Sequence, residues 1–295
     1  MRFSVFLIGF LLLSSSLFAQ GKFREGEFGM NLGFSNFLGD LGGSPAEGRP
    51  LWFDVDPQVT RPAIGLMFRQ EFYPHWSFRA NFYYSVVRGN DELTENPWRS
   101  YRNLSFKSPI YELSAFIEWD LFRFTGTKKK NWTPFIYAGF GTFWYNPQAF
   151  YEGEWVELQP LGTEGQGLPQ YEGKEPYDLN ALCFPVGGGI KYKTKNNWIL
   201  GLETSCRFTT TDYIDDVSTT YPDPAYIQGF YPADIADMVI ALSNRSDPNN
   251  TDFTVTPGSG RGNPGYKDAY FMGGLFTITY HFERVKRPKP GSCYF

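Results

Sequence analysis

"WILGLETSCRF", residues 198–208, alternates in chemistry along its whole length. Trp198, Leu200, Leu202 and Phe208 fall on one parity, with Thr204 and Cys206 between them; Gly201, Glu203, Ser205 and Arg207 fall on the other. Alternation over this span is the mark of an extended strand. Such a strand has two homes. In a water-soluble sheet the apolar face meets a core. In a membrane barrel it meets lipid, and the charged face lines the interior.

Composition favours the second home. Aromatic residues make up 19% of the 295-residue chain, with 29 Phe and 19 Tyr. The mean hydropathy of -0.36 argues against a helical membrane protein. Many aromatics in a chain of polar average suit an outer-membrane barrel, which carries aromatic girdles at both interfaces. A net charge of -4 is too mild to point to nucleic acid as a partner. At the N-terminus, Arg2 is followed by "FSVFLIGFLLL" and "SSSLFAQ". This reads as a signal peptide over residues 1–19, cut between Ala19 and Gln20, although Leu17 is larger than the cleavage rule prefers. A membrane anchor is the competing reading. No later apolar run is long enough for a transmembrane helix.

Eight alternating stretches follow. Phe28, Met30, Leu32 and Phe34 alternate with Gly29, Asn31, Gly33 and Ser35. Further stretches begin near Ile64, Trp76 and Tyr111. The fifth, "PFIYAGFGTFW", is apolar on both parities, and Gly139 and Gly141 point its odd positions inward. "ALCFPVGGGIKY", the opening quotation and "AYFMGGLFTITYHF" complete the set. Short connections ("YPH", "RFTGTKKKNW", "KTKNN") alternate with long ones at roughly residues 36–61, 87–108, 145–180 and 210–268. Strict alternation of this kind is the habit of a transmembrane barrel, with short periplasmic turns and long extracellular loops. The expected fold is all-β: an eight-stranded antiparallel transmembrane β-barrel over residues 20–283, with both termini periplasmic and a C-terminal tail over residues 284–295. A lipocalin-like secreted barrel is the main competitor.

About eight strands leave an interior just wide enough for side chains. Arg69, Glu71, Arg79, Glu112, Glu118, Glu203 and Arg207 all take the inward parity. Unpaired charges there are costly, so mutual ion pairs filling the lumen are expected. That arrangement argues against a pore.

Catalytic and metal chemistry find little support. His75 and His281 both map to the inner end, away from the outer His–Ser pair that lipid-modifying barrels usually carry. Glu112 and Glu118 as an acid–base pair weigh less than lumen pairing. No motif calls for a cofactor. "GGG" at 187–189 gives room to a bulky neighbour or lets the strand bend. "TDYIDDVS", 211–218, clusters Asp212, Asp215 and Asp216; its spacing fits no calcium loop, and a hydrogen-bonded loop base is expected instead. "PADIADMVIALSN", 232–244, spaces Ile235, Met238, Val239 and Leu242 as a short helix folded over the loops, with a partner-binding face as the minority reading.

Of the cysteines, Cys183 takes the inward parity and Cys206 the outward one, so a bridge between them is geometrically disfavoured. Cys293 stands in the tail. Charge divides by side. Lys128, Lys129, Lys130, Lys191, Lys193, Lys195, Arg284, Lys286, Arg287 and Lys289 map to the inner end; Glu152, Glu154, Glu157, Glu164, Glu175, Asp215, Asp216 and Asp237 map to the outer loops. Either the basic end is solvated interface or it is a docking surface.

"GFSNFLGDLGG", "RNLSFKSPIYELSAFIEW", "PFIYAGFGTFWYNPQA", "WVELQPLGTEGQG" and "GLETSCRFTTTDYIDDVS" together resemble the outer-membrane barrel family that includes PorG of the type IX secretion system. "LQPLGTEGQG" and "TDYIDDVS" are the most specific pieces. The resemblance implies a non-enzymatic barrel that anchors a periplasmic ring, built of a PorK-like lipoprotein and a PorN-like protein, to the outer membrane. It carries no catalytic residues and no cofactor. Lys128, Lys129, Lys130, Arg284, Lys286, Arg287 and Lys289 are then the expected contact with the ring, and Cys293 an expected disulfide to it, against a free or small-thiol-capped cysteine. A surface-exposed barrel of adhesion or envelope-integrity type, acting through its loops, is the alternative.

Overall fold

Side chains alternate across an extended strand, so each two-sided stretch of the sequence can serve two environments at once. The computed structural model describes residues 25–41, 57–122, 131–246 and 252–283. Residues 1–19, Lys128, Lys129, Lys130, Arg284, Lys286, Arg287, Lys289 and Cys293 lie outside the described residues. Eight long strands form the barrel: β1 (Glu25–Leu38), β2 (Arg61–Tyr73), β3 (Trp76–Asn90), β4 (Ser105–Asp120), β5 (Trp132–Tyr145), β8 (Asn180–Lys193), β9 (Trp198–Thr209) and β10 (Ala269–Glu283). Each pairs antiparallel with the next, and β1 pairs with β10 to close the ring. A short hairpin, β6 (Gln148–Tyr151) and β7 (Glu154–Glu157), stands outside the ring and joins β4 through the Lys107–Gln148 pair.

The outward parity is apolar all the way round. Phe28, Leu66, Phe82, Leu113, Ile136, Phe140, Leu182, Leu202 and Phe276 are all exposed. A soluble protein rarely leaves an apolar patch above a few hundred Å² uncovered. Here the band encircles the barrel, as the lipid-facing surface of a transmembrane barrel does. Aromatic pairs edge it: Trp76–Trp119 at 6.3 Å and Trp198–Tyr280 at 5.2 Å toward one end, Tyr84–Tyr111 at 5.0 Å toward the other.

The connections sort by length. Residues 74–75, 121–131 and 194–197 join strands at one end, which we term the turn end. Residues 39–60, 91–104, 146–179 and 210–268 leave the opposite, loop end. β10 carries a bulge: its register with β9 slips between Met272 and Leu275, and Gly274 there has φ 53. The left-handed backbone and the ring of Phe34, 2.7 Å from where a Cβ would stand, both call for glycine.

The long loops fold into a cap. The β6–β7 hairpin turns through Glu152 (φ 47) and Gly153 (φ 95), the two left-handed residues of a tight primed turn. Helix α1 (Pro97–Arg102) is capped by Asn96, whose side chain accepts from Trp98 N at 3.0 Å. Helix α2 (Pro224–Phe230) is capped by Asp223, and α3 (Ala233–Ser243) follows directly. α3 buries Ala236, Val239 and Leu242 against Ile227, Ala149, Leu158, Leu161 and Leu168. This is the cover over the loops that the helical spacing at 232–244 foretold.

Gly187 is required for room rather than for its backbone angles. A Cβ there would lie 2.8 Å from Cζ of Tyr137 and 2.5 Å from the carbonyl oxygen of Thr204. A Gly187→Val variant is expected to lose the folded barrel, or to fold with stability lowered by about 1–3 kcal/mol. The heat-modifiable gel shift of the purified protein is the readout; an unchanged shift and an unchanged unfolding midpoint would disprove the packing role.

Candidate functional site

The barrel interior holds ionised side chains from nearly every wall. Near the turn end, Arg69 donates to Glu27 at 2.5 Å and approaches Glu118 at 3.0 Å. Lys191 reaches the same Glu118 at 2.8 Å and Asp120 at 2.8 Å. Midway, Arg79 on β3 crosses the lumen to Glu203 on β9, donating to both carboxylate oxygens at 2.7 and 2.6 Å. Paired donation of this kind fixes orientation as well as distance. Arg79 also lies over the Tyr137 ring at 4.9 Å, the ring that Gly187 makes room for. Closer to the loop end, Arg207 donates to Glu112 at 3.1 Å, and Tyr270 donates to the same carboxylate at 2.8 Å. Arg79, Arg207, Glu112 and Glu118 are fully buried. Above them an apolar layer, including Phe37, Val87, Ile110, Phe143 and Ile214, seals the lumen toward the cap. At the turn-end mouth there remains a cavity of ≈ 20 Å³ beside Glu27, Asp120 and His281. That is room for about one water.

A second buried network lies in the cap. Its centre is Arg261, which donates to Glu164 at 3.3 Å, to the carbonyl of Asp216 at 2.5 Å and to the carbonyl of Ser243 at 3.1 Å. Glu164 in turn accepts from the amides of Ser218 and Thr219 at 2.9 Å each. Thr163 and Tyr177 donate to the Asp216 carboxylate. The "LGTEGQG" turn reaches this point because Gly162, Gly165 and Gly167 all take positive φ (58, 88 and 79). Asp215 accepts from the amide of Leu41 at 3.0 Å, and Arg102 ties Asp91 to the carbonyls of Arg261 and Asp40. All four long loops therefore meet in one set of hydrogen bonds.

The structure places the sequence-selected residues unevenly. Arg69, Arg79, Glu112, Glu118, Glu203 and Arg207 come together in the lumen. Glu71 lines the same turn-end cavity as Arg69 and Lys191. It is exposed at the turn-end mouth, near the end of β2, where the register with β3 slips. Glu27 pairs with Arg69 there. Lys191, counted among the basic residues of the inner end, points into the lumen, because it shares parity with Cys183, Gly187 and Gly189. Glu164, Asp215 and Asp216, mapped to the outer loops, are buried acceptors there, and for Asp215 and Asp216 this is the hydrogen-bonded loop base expected of "TDYIDDVS". Cys206 keeps the outward register yet is buried, between its partners Val186 and Phe271; both it and Cys183 are free thiols. Among the described residues no group of three or more His, Cys, Asp or Glu side chains is arranged to hold a metal ion.

Burial pushes the Asp216 carboxyl up to about 6, against Arg261 and the hydroxyls of Thr163 and Tyr177, which pull it down. Burial likewise pushes Asp212 up to about 6, against the Ser218 hydroxyl. Both values exceed the unfolded value of 3.8, so the folded cap takes up protons first. Their contribution to stability is complete below about 4 and is lost as pH rises through about 6. Hydrogen exchange over residues 211–219, corrected for intrinsic rate, should be slower at pH 5 than at pH 7, with Asp212→Asn reducing the difference. Equal or faster exchange at pH 5 would contradict the assignment.

Comparison with solved structures finds small outer-membrane barrels at low similarity. Ail of Yersinia pestis has 10% identity and a TM-score of 0.37, covering 88% of this chain and 99% of its own. Neisserial surface protein A has 7% identity and a TM-score of 0.39, covering 88% of this chain and 97% of its own. OprG of Pseudomonas aeruginosa has 9% identity and a TM-score of 0.36, covering 88% and 98%. Likeness of this degree says nothing of function. No curated protein matches the chain. A family model described as a domain of unknown function, DUF6089, matches residues 3–160, more than half of the chain, and the chain belongs to that family.

Proposed function

We propose that the protein is a non-enzymatic outer-membrane barrel with periplasmic termini, which anchors the periplasmic ring of a type IX secretion system through its turn end. One observation carries the reading: the lumen is crossed by the Arg79–Glu203 pair and filled around it, so the barrel offers its two ends rather than a conduit. The resemblance of its motifs to the secretion barrels supports the partner, a PorK-like lipoprotein with a PorN-like protein. The partner would meet Lys128, Lys129 and Lys130 in the β4–β5 connection, and Arg284, Lys286, Arg287 and Lys289 in the tail. Cys293, in the same tail, is the residue through which the contact would become covalent in an oxidising compartment. Lys195, in the β8–β9 turn, is exposed at the same end.

The test is co-purification of the ring proteins from detergent-solubilised envelopes. Changing Lys128, Lys129 and Lys130 to Glu should reduce ring recovery about fivefold or more, and most at low salt, where exposed charges are least screened. On non-reducing gels after rapid thiol blocking, a heavier species should vanish in Cys293→Ser. Unchanged recovery at every ionic strength would reduce the basic residues to interface solvation and turn attention to the loop end.

A further inference from the structure

Arg88 on β3 and Lys107 on β4 stand directly opposite each other in the register, both on the outward parity. Like charges directly opposite destabilise a sheet unless something compensates them. Trp155, carried down by the β6–β7 hairpin, lies over both: Lys107 Nζ is 3.8 Å and Arg88 Cζ 5.2 Å from its ring centroid. A ring attracts a cation by about 0.5–1 kcal/mol at an exposed site, but it neutralises neither charge. Among the described residues neither cation makes an ion pair with a carboxylate. More positive charge gathers there. Arg61 heads the adjacent β2, its guanidinium donating to the carbonyls of Gln58 and Thr60. Arg245 reaches in from the cap to the carbonyl of Phe150 at 2.5 Å and Ser105 Oγ at 3.5 Å. The contrast with the rest of the molecule is sharp: Arg99 and Arg102, in the adjoining loop, both share Asp91.

Height along the barrel sets what the pair can meet from the membrane. The outward positions below the pair are Val86–Pro109, Tyr84–Tyr111 and Phe82–Leu113, down to Trp76–Trp119 at the turn end. Arg88 lies twelve residue steps along the strand from Trp76. At about 3.3 Å per residue and a tilt near 40°, that is about 30 Å along the membrane normal. The apolar band of such a barrel is about 25 Å tall. Arg88 and Lys107 therefore stand at headgroup level, above a stripe of aromatic and aliphatic side chains suited to acyl chains. The concentration is local. Near the loop ends of β5, β8 and β9 the outward positions are Trp144, Leu182 and Phe208. General interface solvation would spread cations round the rim.

We propose that Arg88 and Lys107, backed by Trp155, form a binding site for the phosphorylated headgroup of a lipid A-type glycolipid in the leaflet at the loop end. Two cations opposite each other on neighbouring strands have Cβ atoms about 5 Å apart, a spacing at which they can share one phosphate. The site rests on insertion with the loop end outward, and is independent of the ring contact. Full-length protein, purified in detergent and delipidated, is titrated with diphosphoryl lipid A and read by native mass spectrometry. A bound glycolipid is expected, held about tenfold or more weakly by Arg88→Gln/Lys107→Gln, and unaffected by Lys193→Gln/Lys195→Gln at the turn end. Lipid A stripped of phosphate should bind the parent as weakly as the intact lipid binds the double variant. The heat-modifiable gel shift confirms that each variant is folded. Equal binding by the double variant, or no binding by the parent, overturns the proposal. Displacement of the lipid by millimolar inorganic phosphate overturns the lipid as the source and assigns the site to a soluble anion.

Discussion

A ring of eight strands encloses an interior about one side chain deep from each wall, and a charge placed there has little water to reach. Every guanidinium on the inward parity must therefore find its carboxylate within the lumen. Arg79 and Glu203 meet this requirement between opposite walls, and Glu118 serves Arg69, Lys191 and Arg79 together. Removing one partner of such a buried pair leaves the other unmatched, at a cost of about 3–5 kcal/mol. The pairs thus hold the barrel in one register, because a slip of one residue would turn every charge toward lipid.

Smaller features serve the same end. Gly187 opens the space that Tyr137 fills, and Tyr137 lies against the Arg79 guanidinium. The bulge at Gly273–Gly274 lets β10 keep Tyr270 and Leu275 inward although the register slips between them. Above the sealed lumen the strategy repeats in the loops, where Arg261 gathers Glu164 and Asp216. The cap is in this sense a second polar core, built outside the apolar band and joined to the barrel where the amide and hydroxyl of Thr209 on β9 donate to the carbonyl of Asp268, whose carboxylate accepts from the amide of Ile214.

Much of this was legible in period-2 alternation. "WILGLETSCRF" placed Glu203 and Arg207 inward and Leu202 and Phe208 outward, and closure of the ring kept those faces. Parity alone, however, does not give depth. Glu71 has the inward parity yet is exposed, because it sits near the end of β2 where the lumen opens, whereas Glu112 and Glu118 are fully buried. Lys191 was grouped with the basic inner end although it lies within the stretch "ALCFPVGGGIKY" and shares the parity of Cys183, Gly187 and Gly189, which turns it into the lumen. The cap network was legible in part, through the hydrogen-bonded loop base expected of "TDYIDDVS". "LQPLGTEGQG" and "TDYIDDVS" are the most distinctive motifs in the chain, and they meet in space, Glu164 accepting from Ser218 and Thr219. Nothing in spacing announces Arg261 as their shared partner, because it comes from a third segment of the loop region.

A barrel crossed by ion pairs and roofed by folded loops is suited to holding a position in the membrane while its surfaces meet other molecules. Its band faces lipid, its loop-end rim carries a cluster of cations, and its turn end is the face proposed for the ring. All of this depends on the lumen being filled. Single-channel recording of the purified protein in planar bilayers tests that point most directly. A filled lumen predicts no stable conductance; a steady, porin-like conductance from the folded protein would contradict it.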